Sequence, residues 1–453
     1  MIMIRMFKKC LSNIMSCIDH LLFLLVFPLC LAFSLIAIPW IWRQRRLWQS
    51  NAKGNKKALM MLPIAVEQIT QKGFEHVLPL RNQSLNWIGL LDSTNTRKTN
   101  IKITDDLYLI TWQSPKILLL LKKIGFAATS IAFRELIAVF KISRYCVKEK
   151  IGVLRTYQHH YPALRAGLVS IFIKIPFIVD IAGNYEMLRR LSGKTYYFKW
   201  LCRLPIIKIF GRMLYDWLLG WPLRNAFRVL GRSKNTYEHA FALGAPVEKL
   251  SLLRISNFNV AFNSFNPEQP PAKPAEYPYI LCVGRLSAEK FPFDVLDAFE
   301  IAGLHLPEYR LIMIGDGALR KDVERRIAHS KFRDRIILMG DCSNEVVLKW
   351  TAHASAAICP FSGSTLVEAM LCGVPIIAYD IEWHAEVVID DYTGFLVRFP
   401  DVNALAEKMI HVGENHEEAK RVGQRGRDLA RVVFDKEKIR KKESTFYLEA
   451  LED

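Results

Sequence analysis

The sequence predicts an α/β fold in two domains, and three observations support this prediction. The chain has 453 residues, which is more than one ordinary hydrophobic core accommodates, so two domains are expected. The proline-rich segment 266–278 has the composition of a linker and separates a first domain, 52–265, from a second, 279–435. Beyond this linker, short apolar runs alternate with helical patterns, which is typical of a doubly wound parallel sheet.

The second domain carries the more regular pattern. Its predicted strands are Tyr279–Val283, Arg310–Ile314, Arg335–Met339, Ala356–Cys359, Val374–Tyr379 and Phe395–Val397. Helices are predicted between them, for example at Asp294–Ala302 and Leu319–His329. A final helix is predicted within residues 436–453.

The first domain shows a βαβ rhythm. Its predicted elements are the strands Ala58–Leu62 and Leu107–Trp112, a helix at Ile124–Val147, the strand Gly152–Tyr157, a helix from Pro162 to Lys174 and the strand Pro176–Ile181. Ligands of open parallel sheets bind outside the carboxyl ends of the strands. The loops 158–161 and 183–186 are therefore candidate binding loops.

The net charge is distributed unevenly along the chain. The formal net charge is +18, but residues 275–453 hold 23 Lys and Arg against 30 Asp and Glu. Residues 1–274 therefore hold 39 basic against 14 acidic residues, a net charge of +25. A basic first part predicts a polyanionic partner, for which nucleic acid, anionic lipid and a phosphorylated acceptor are the candidates.

A transmembrane helix is predicted near the start of the chain. His20–Trp42 is a run of 23 residues without Lys, Arg, Asp or Glu, long enough to span a bilayer at about 1.5 Å per residue. More basic residues follow this run than precede it, so the positive-inside rule predicts a cytoplasmic C-terminal part. Pro28 and Pro39 leave a shallow or re-entrant anchor as an alternative, and a buried core helix is another.

A second membrane-facing stretch is predicted at Met187–Lys234. It holds 11 basic residues interleaved with aromatic residues, and Asp216 is its only acid. This composition is typical of an interfacial helix on anionic lipid, of a surface for single-stranded nucleic acid and, in part, of ordinary core. We favour lipid because a membrane segment precedes the stretch, and we expect no nucleic-acid partner.

The sequence predicts no metal site. The nine cysteines show no C-x-x-C pair and no metal-ligand spacing, so they are expected to be reduced core residues of a cytosolic domain. Neither a P-loop nor a G-x-S-x-G nucleophile elbow is present. The nearest approach to an Asp-x-Asp metal motif is Asp380-Ile381-Glu382.

The segment Phe361–Asp380 is predicted to bind a sugar nucleotide. Its small polar loop, Ser362–Thr365, leads into a short helix, and the free N–H groups at a helix start bind anions such as phosphate. Glu368 lies one turn inside that helix, where its carboxylate can accept hydrogen bonds from sugar hydroxyls. The alternative is an ordinary strand–loop–helix connection with a surface glutamate.

Two further loops follow predicted strands of the second domain. Arg285 and Lys290 lie five residues apart after the first strand, a spacing that suits the clamping of a diphosphate. Gly315-Asp316-Gly317 ends the next strand, where small residues would let a nucleoside approach the backbone. Both loops are expected at the same edge of the sheet.

Residues 279–435 closely resemble the C-terminal half of the group-1, retaining GT-B glycosyltransferases. The resemblance rests on ordered motifs, which are Gly284-Arg285-Leu286 with Lys290, Gly315-Asp316-Gly317, Gly340, Leu366–Pro375, Glu386, Gly394–Val397 and Phe434. It is thinner before the linker, where Gly244-Ala245-Pro246 leads to Asn257. The resemblance implies two Rossmann-like domains that face a cleft, with the final helix crossing back to the first domain. The predicted architecture is thus a GT-B fold preceded by an N-terminal transmembrane helix.

Carried over by position, the resemblance implies a donor site. Arg285 and Lys290 would bind the donor diphosphate and Glu368 the ribose, so these three are the expected catalytic residues. The expected donor-binding residues are Gly284, Gly315, Asp316, Gly317, Ser364, Thr365 and Leu366. The family's chemistry implies no metal and no cofactor, because cationic side chains and a helix terminus neutralise the leaving diphosphate. It also implies retention, in which the leaving phosphate takes the acceptor's proton.

Two positions depart from the family's pattern. Pro360 stands where the family often has a first glutamate that contacts the donor sugar. Ala182-Gly183 stands where many members have a His-Gly pair. The acceptor-side candidates to substitute for that histidine are His159, His160, Asn184 and Glu186.

The sequence therefore predicts a membrane-anchored glycosyltransferase whose domains face the cytoplasm. It would move a sugar from a nucleotide-sugar donor to a lipid-linked or polysaccharide acceptor in cell-surface glycan synthesis, with anionic lipid as a further partner. The alternatives are a GT-B sugar-nucleotide epimerase, which would change a free sugar nucleotide without an acceptor, and a non-catalytic GT-B scaffold, which would not turn over a donor.

Overall fold

The computed structural model of this protein describes most of the chain. The described residues are 38–62, 85–93, 100–104, 107–113, 127–184, 186–187, 207–256 and 260–453. The predicted transmembrane segment His20–Trp42 lies outside them until Ile38, where helix α1, Ile38–Asn51, begins. Among the described residues, no helix is both long and apolar enough to cross a bilayer.

Eight strands form the sheet of the first domain. They are β1 Lys57–Leu62, β2 Asn86–Ser93, β3 Asn100–Thr104, β4 Leu107–Gln113, β5 Val153–Tyr157, β6 Phe177–Ile181, β7 Arg228–Gly231 and β8 Leu250–Leu252. Their order is β3-β4-β2-β1-β5-β6-β7-β8, and every neighbouring pair is parallel except β3 and β4. The central strands β5 and β6 are almost wholly buried, as expected when both faces of a parallel sheet are covered.

One face of this sheet is covered by α1 and by four further helices. These are α2 Ala127–Lys148, α3 Tyr161–Ile173, α4 Ile207–Asn225 and α5 Lys234–Ala242. Helix α1 is fixed in this layer because Nε1 of the buried Trp48 donates to the Ile151 carbonyl over 2.7 Å, and Trp40 packs on Phe140. The hydrophobic core of the first domain therefore begins before residue 52.

Six parallel strands form the sheet of the second domain. They are β9 Tyr279–Val283, β10 Arg310–Ile314, β11 Ile336–Gly340, β12 Ala356–Ile358, β13 Ile376–Tyr379 and β14 Phe395–Val397, in the order β11-β10-β9-β12-β13-β14. All six were predicted, and three have the predicted bounds. β13 begins two residues later than predicted because Gly373, with φ of +76°, ends the preceding helix, and Val374-Pro375 connects it to the strand.

Helices cover both faces of the second sheet. They are α6 Val260–Asn263, α7 Pro292–Ala302, α8 Arg320–Ala328, α9 Asn344–Ala352, α10 Ser364–Leu371, α11 Val402–Glu414 and α12 His416–Val433, followed by α13 Lys436–Glu452. Helices α7 and α11 pack together on one face, and α10 and α12 pack together on the other. The second domain is thus doubly wound, as its alternating pattern predicts.

The carboxyl ends of the two sheets meet at a cleft. β9 lies between β10 and β12, so the loops after these three strands share one edge of the second sheet. The loop after β6 of the first sheet reaches the same edge, since the Asn184 N–H donates to Oε1 of Glu382, beyond β13, over 2.8 Å. Open α/β sheets bind their ligands in such crevices.

Helix α13 leaves the second domain and packs on the first sheet through a buried ionic network. Asp180 of β6 accepts from Arg155 of β5 over 2.7 Å and from Nε of Arg232 over 2.6 Å. Glu443 of α13 pairs with Arg155 over 2.8 Å. Burial by itself would raise the pKa of Asp180, but the two guanidiniums lower it below its usual value. The two carboxylates and two guanidiniums balance each other in a site without water access.

We expect the ion pairs of α13 to differ sharply in their contribution to stability. Glu443→Ala should lower the free energy of unfolding by about 3–5 kcal/mol, because it leaves two buried guanidiniums with one carboxylate. The matched control is Glu449→Ala on the same helix. The Glu449 side chain is 43% exposed against 3% for Glu443, so losing its pair with Arg228 should cost about 0–1 kcal/mol.

Urea unfolding followed by tryptophan fluorescence measures both variants. Equal losses in the two variants would show that the buried network does not fix α13.

Candidate active site

The loops after β9 and β10 pack tightly on each other. The Gly284 N–H donates to the Ile314 carbonyl, and the Leu286 N–H donates to the Asp316 carbonyl, both over 3.0 Å. A Cβ at Gly315, whose φ is +138°, would lie 2.0 Å from the Gly284 carbonyl oxygen, and one at Gly317 would lie 2.4 Å from that of Leu286. These glycines therefore let two protein loops approach each other, whereas the sequence suggested the approach of a nucleoside.

The Asp316 side chain supports this packing, because both of its carboxylate oxygens accept hydrogen bonds within the protein. Its Oδ1 accepts from the Gly317 N–H over 2.6 Å, and its Oδ2 accepts from Nη1 of Arg320 over 2.8 Å. The Gly315–Gly317 turn is consequently a support for the loop that carries Gly284 and Arg285.

Gly284 and Arg285 are directed away from the packed side. No heavy atom lies within 4 Å of the position that a Cβ of Gly284 would occupy. The Arg285 side chain is exposed and makes no hydrogen bond or ion pair with any residue that the structure describes. A guanidinium of this kind is available to a ligand.

Lys290 is held at the end of β12. Its Nζ donates to the Phe361 carbonyl over 3.0 Å and lies 4.7 Å from the centre of the Phe361 ring. Burial lowers the pKa of Lys290, and the nearby carboxylates of Glu289 and Glu382 partly oppose this change. An ammonium has three donors, so those not used by Phe361 can bind a phosphate oxygen.

Helix α10 begins beside Lys290 without a side-chain cap. Gly363 is its N-cap residue, no side chain accepts from the first N–H groups, and a Cβ at Gly363 would meet open space. Ser364 and Thr365 are half-buried, and Leu366 is fully buried, so Leu366 can contribute only its backbone. The helix dipole and the uncapped N–H groups favour an anion at this position.

A buried histidine fixes the loop between β12 and α10. Nδ1 of His384 lies 2.9 Å from the Tyr379 carbonyl oxygen, and its Nε2 lies 3.2 Å from the Ser362 nitrogen. Nε2 also lies 3.1 Å from the Ser362 carbonyl oxygen, so it accepts from the Ser362 N–H or donates to that carbonyl according to which ring nitrogen carries the proton. Burial lowers the pKa of His384 to about 4. The sequence offered no signal for this role, because His384 reaches Ser362 only through the fold.

Glu368 of α10 faces the start of α13. Burial lowers the pKa of Lys436 to about 8, with Arg440 acting in the same direction and the Glu368 carboxylate opposing it. The Glu368 side chain itself is half-buried. A cation from the final helix therefore accompanies the predicted ribose-binding carboxylate, and the sequence did not single out Lys436.

The acceptor-side candidates separate into two pairs. His159 and His160 are buried, and the ring centre of His159 lies 5.5 Å from that of His239. Burial lowers the pKa of both, to about 3 for His160. Both rings are buried, and the assignment of His159 and His160 to the acceptor side stays a prediction. Asn184 and Glu186 are half-buried, and Asn184 lies at the cleft.

Glu386 also joins the two domains, next to the contact of Asn184 with Glu382, since Asn184 donates to Oδ1 of Asn235 over 3.0 Å. Glu386 accepts from the Lys234 N–H over 3.0 Å and the Asn235 N–H over 3.2 Å, and it forms an ion pair with Arg254. The carboxylate thus lies at the start of helix α5, where the helix dipole stabilises negative charge. The sequence identified Glu386 only as a motif residue.

The structure also bears on metal binding. Within the part of the chain that it describes, no three His, Cys, Asp or Glu side chains are grouped so that they could hold a metal ion. Burial raises the pKa of the Cys282 and Cys359 thiols to about 12, so both stay protonated at neutral pH.

We expect His384 to make stability fall on acidification. Its pKa of about 4 lies below the usual 6.5, so the unfolded chain binds this proton more tightly than the folded one. Stability is therefore present above pH 6.5 and lost as the pH falls towards 4, by about 2 kcal/mol at pH 5. His384→Gln should be less stable than the wild type at pH 7. Its stability should not show the fall on acidification that protonation of His384 causes in the wild type.

Urea unfolding of both proteins at pH 7 and pH 5 measures the difference. The same loss in the two proteins would assign the pH dependence to other groups.

In sequence, the second half of the chain is similar to known glycosyltransferases. Residues 265–429 match the family profile described as glycosyl transferases group 1. The N-acetyl-alpha-D-glucosaminyl L-malate synthase of Bacillus anthracis is 26% identical over 162 residues, which are 35% of this chain and 42% of that protein. The poly(glycerol-phosphate) alpha-glucosyltransferase of Bacillus subtilis is 22% identical over 202 residues, 41% of this chain and 30% of that protein. The chain thus spans less than half the length of these relatives.

A structural comparison covers more of the chain. The crystal structure of Anabaena Alr3699/HepE in complex with UDP and glucose matches with a TM-score of 0.61 at 15% identity, over 86% of this chain and 99% of that one. At this identity the likeness establishes the fold, which is GT-B. The predicted resemblance of this chain to the group-1 GT-B glycosyltransferases is confirmed, with the family match on residues 265–429.

Proposed function

We propose that this protein is a glycosyltransferase that uses a nucleotide-sugar donor. The observation that carries the proposal is the group of anion-binding features at the carboxyl ends of β9 and β12. The unpaired Arg285, the ammonium of Lys290 and the uncapped start of α10 border the open space at Gly284 and Gly363. Two cations and a helix N-terminus match the charge of a diphosphate.

The proposed reaction is a transfer with retention and without a metal. The bond between the anomeric carbon and the donor's phosphate oxygen breaks, and a bond to an acceptor hydroxyl oxygen forms. The acceptor proton passes to the leaving diphosphate. Arg285, Lys290 and the α10 amides would stabilise the charge that develops on the diphosphate. Glu368 would accept from the ribose hydroxyls, with the Lys436 ammonium close to it.

The acceptor in this proposal is a lipid-linked or polysaccharide chain that carries negative charge. Residues 1–274 have a net charge of +25, and this basic part includes the acceptor side of the cleft. The name of the Bacillus subtilis relative describes glucosyl transfer to poly(glycerol-phosphate), which is a polyanion. Asn184 and Glu186 are the residues that we propose contact this acceptor.

The donor can be identified by ligand-induced stabilisation. Melting temperatures would be measured with UDP, GDP, UDP-glucose, UDP-N-acetylglucosamine and GDP-mannose, because a ligand of the folded state raises the melting temperature. Release of the diphosphate with a glycan acceptor would then be measured. Conversion of a free sugar nucleotide without an acceptor would favour the epimerase, and binding without turnover would favour the scaffold.

We expect Arg285→Ala and Lys290→Met to weaken binding of the selected diphosphate. Each variant removes a charge-assisted contact worth on the order of 1.5–3 kcal/mol, which corresponds to a loss of about 10- to 100-fold in affinity. Methionine keeps the length of the buried Lys290 stem and so limits packing losses. The control is Arg325→Ala on α8, whose side chain is 70% exposed.

Isothermal titration measures the affinities, and thermal melting without ligand checks the fold. Wild-type affinity in both Arg285→Ala and Lys290→Met would contradict the diphosphate site.

We further propose that the first domain binds an anionic membrane, with the catalytic domains in the cytoplasm. Support comes from an outer helical surface formed by α1, α3 and α4. Trp42, Leu47, Ile171 and Trp217 are exposed there, with Trp42 at 56%. Arg43 and Arg46 are exposed beside them, and Arg45 ties α1 to α3 by donating to the Ile171 carbonyl over 2.8 Å. Exposed aromatic and basic side chains are typical of a membrane-interface surface.

We expect residues 38–453 to bind anionic vesicles without the predicted anchor. The deletion must stop before α1, because Trp48 and Gln44 are buried in the first domain. Arg43→Glu with Arg46→Glu should weaken binding by about tenfold or more, since each basic residue near an anionic surface contributes about 1 kcal/mol. The control reverses two exposed charges of the second domain, Lys321→Glu with Arg325→Glu.

Sedimentation with phosphatidylglycerol vesicles at low and high salt measures the binding. A truncated protein that ignores these vesicles at low salt would show that the outer helical surface does not face a membrane.

A further inference from the structure

Glu382 has an unusual backbone conformation at the cleft. It follows β13 and has a φ of +54°, in the left-handed region that residues other than glycine rarely adopt. Such strain persists where the surrounding structure enforces it, and it concentrates at ligand-binding sites. The conformation is maintained here although the residue carries a long charged side chain.

The carboxylate of Glu382 reaches across to the first domain and keeps one oxygen available. Its Oε1 accepts from the Asn184 N–H over 2.8 Å and lies 3.7 Å from the position of a Cβ at Gly183. Its Oε2 accepts no hydrogen bond from any residue that the structure describes. The half-buried Glu382 thus keeps one carboxylate oxygen without a partner among the described residues, at the contact between the two domains.

The surroundings of Glu382 favour an added hydrogen-bond donor. Burial raises the pKa of Glu382 to about 7, although the Asn184 N–H and the Lys290 ammonium lower it, and the charge of Glu386 raises it further. A carboxylate that has lost water without gaining full compensation is stabilised by each donor that a ligand supplies.

Lys290 relates Glu382 to the donor. Two carboxylates act on the Lys290 ammonium, those of Glu289 and Glu382. Glu289 already accepts from the Ser287 hydroxyl over 2.7 Å, whereas Glu382 retains its free oxygen. The residues between β12 and α10, Cys359–Gly363, include no acid. Glu382 is therefore a carboxylate whose charge acts on the proposed diphosphate lysine and whose Oε1 accepts from the first domain.

We propose that Glu382 contacts the transferred sugar and accepts hydrogen bonds from its hydroxyls through Oε2. The inference rests on the proposed donor site, because the sugar is bonded directly to the phosphate that Lys290 would bind. A residue in this position would distinguish donors by the placement of their hydroxyls. It would act on the sugar and leave the nucleoside diphosphate part untouched.

The test compares the affinity for each nucleoside diphosphate with the affinity for the nucleotide sugar that contains it. Isothermal titration with UDP, UDP-glucose and UDP-N-acetylglucosamine, and with GDP and GDP-mannose, gives the gain in affinity that a sugar adds to its diphosphate. Glu382→Gln should reduce this gain by about 10- to 100-fold, the usual effect of losing a hydrogen bond to a charged group, while diphosphate affinity stays within twofold. Glu345→Gln, at an exposed glutamate of α9, is the control and should change neither value.

A second variant separates the loss of the sugar contact from misfolding of the protein. Glu382→Asp keeps the charge but withdraws the carboxylate by one methylene, so it should also lose the gain while melting near the wild-type temperature. An unchanged gain in both variants overturns the inference, and so does a wild type that binds no sugar better than its diphosphate. Failure of the wild type to bind either diphosphate would instead overturn the donor site, and this proposal with it.

Discussion

The buried pairing of Glu443 with Arg155 is the interaction on which the relation of the two domains depends. Arg155 and Asp180 lie in two neighbouring inner strands of the first sheet, β5 and β6, whereas Glu443 belongs to the helix that follows the second domain. Charges cannot remain in such an interior without partners, so separating α13 from the first sheet would leave Arg155 and Arg232 undercompensated. The same helix begins at Lys436, beside Glu368. One element thus carries both the interdomain anchor and a cation of the proposed donor site.

The cleft itself is joined by a different kind of contact. Glu382 and Glu386 both belong to the connection between β13 and β14, and each accepts backbone N–H groups of the first domain. Hydrogen bonds to charged groups at a partly hydrated cleft contribute less than a buried ion pair, yet they set distances closely. The anchor behind the cleft therefore holds the domains together, and the contacts across the cleft set how its loops face each other.

The strands of the second domain were largely predictable, and the surroundings of the proposed donor site were not. Continuous apolar runs such as Tyr279–Val283 give a strong local signal, so all six strands of the second sheet were identified. Arg285 and Lys290 were singled out as candidates because they follow a predicted strand. His384 and Lys436 were missed because their partners lie elsewhere in the chain. The burial of His159 and His160 was not predictable either, since a loop sequence does not reveal which side of the loop is buried.

Two positive-φ residues of the second domain, Gly315 and Glu382, have this backbone conformation for different reasons. Gly315 needs its conformation because a Cβ there would strike the Gly284 carbonyl oxygen, and its role ends with the packing of two loops. Glu382 adopts a conformation that a glycine would take at lower cost, and packing alone does not require a carboxylate there. A strained residue is best explained by what its side chain does, and this side chain extends from the edge of the second sheet to Asn184. Strain at Glu382 is therefore understandable as the cost of aiming a carboxylate at the space between the domains.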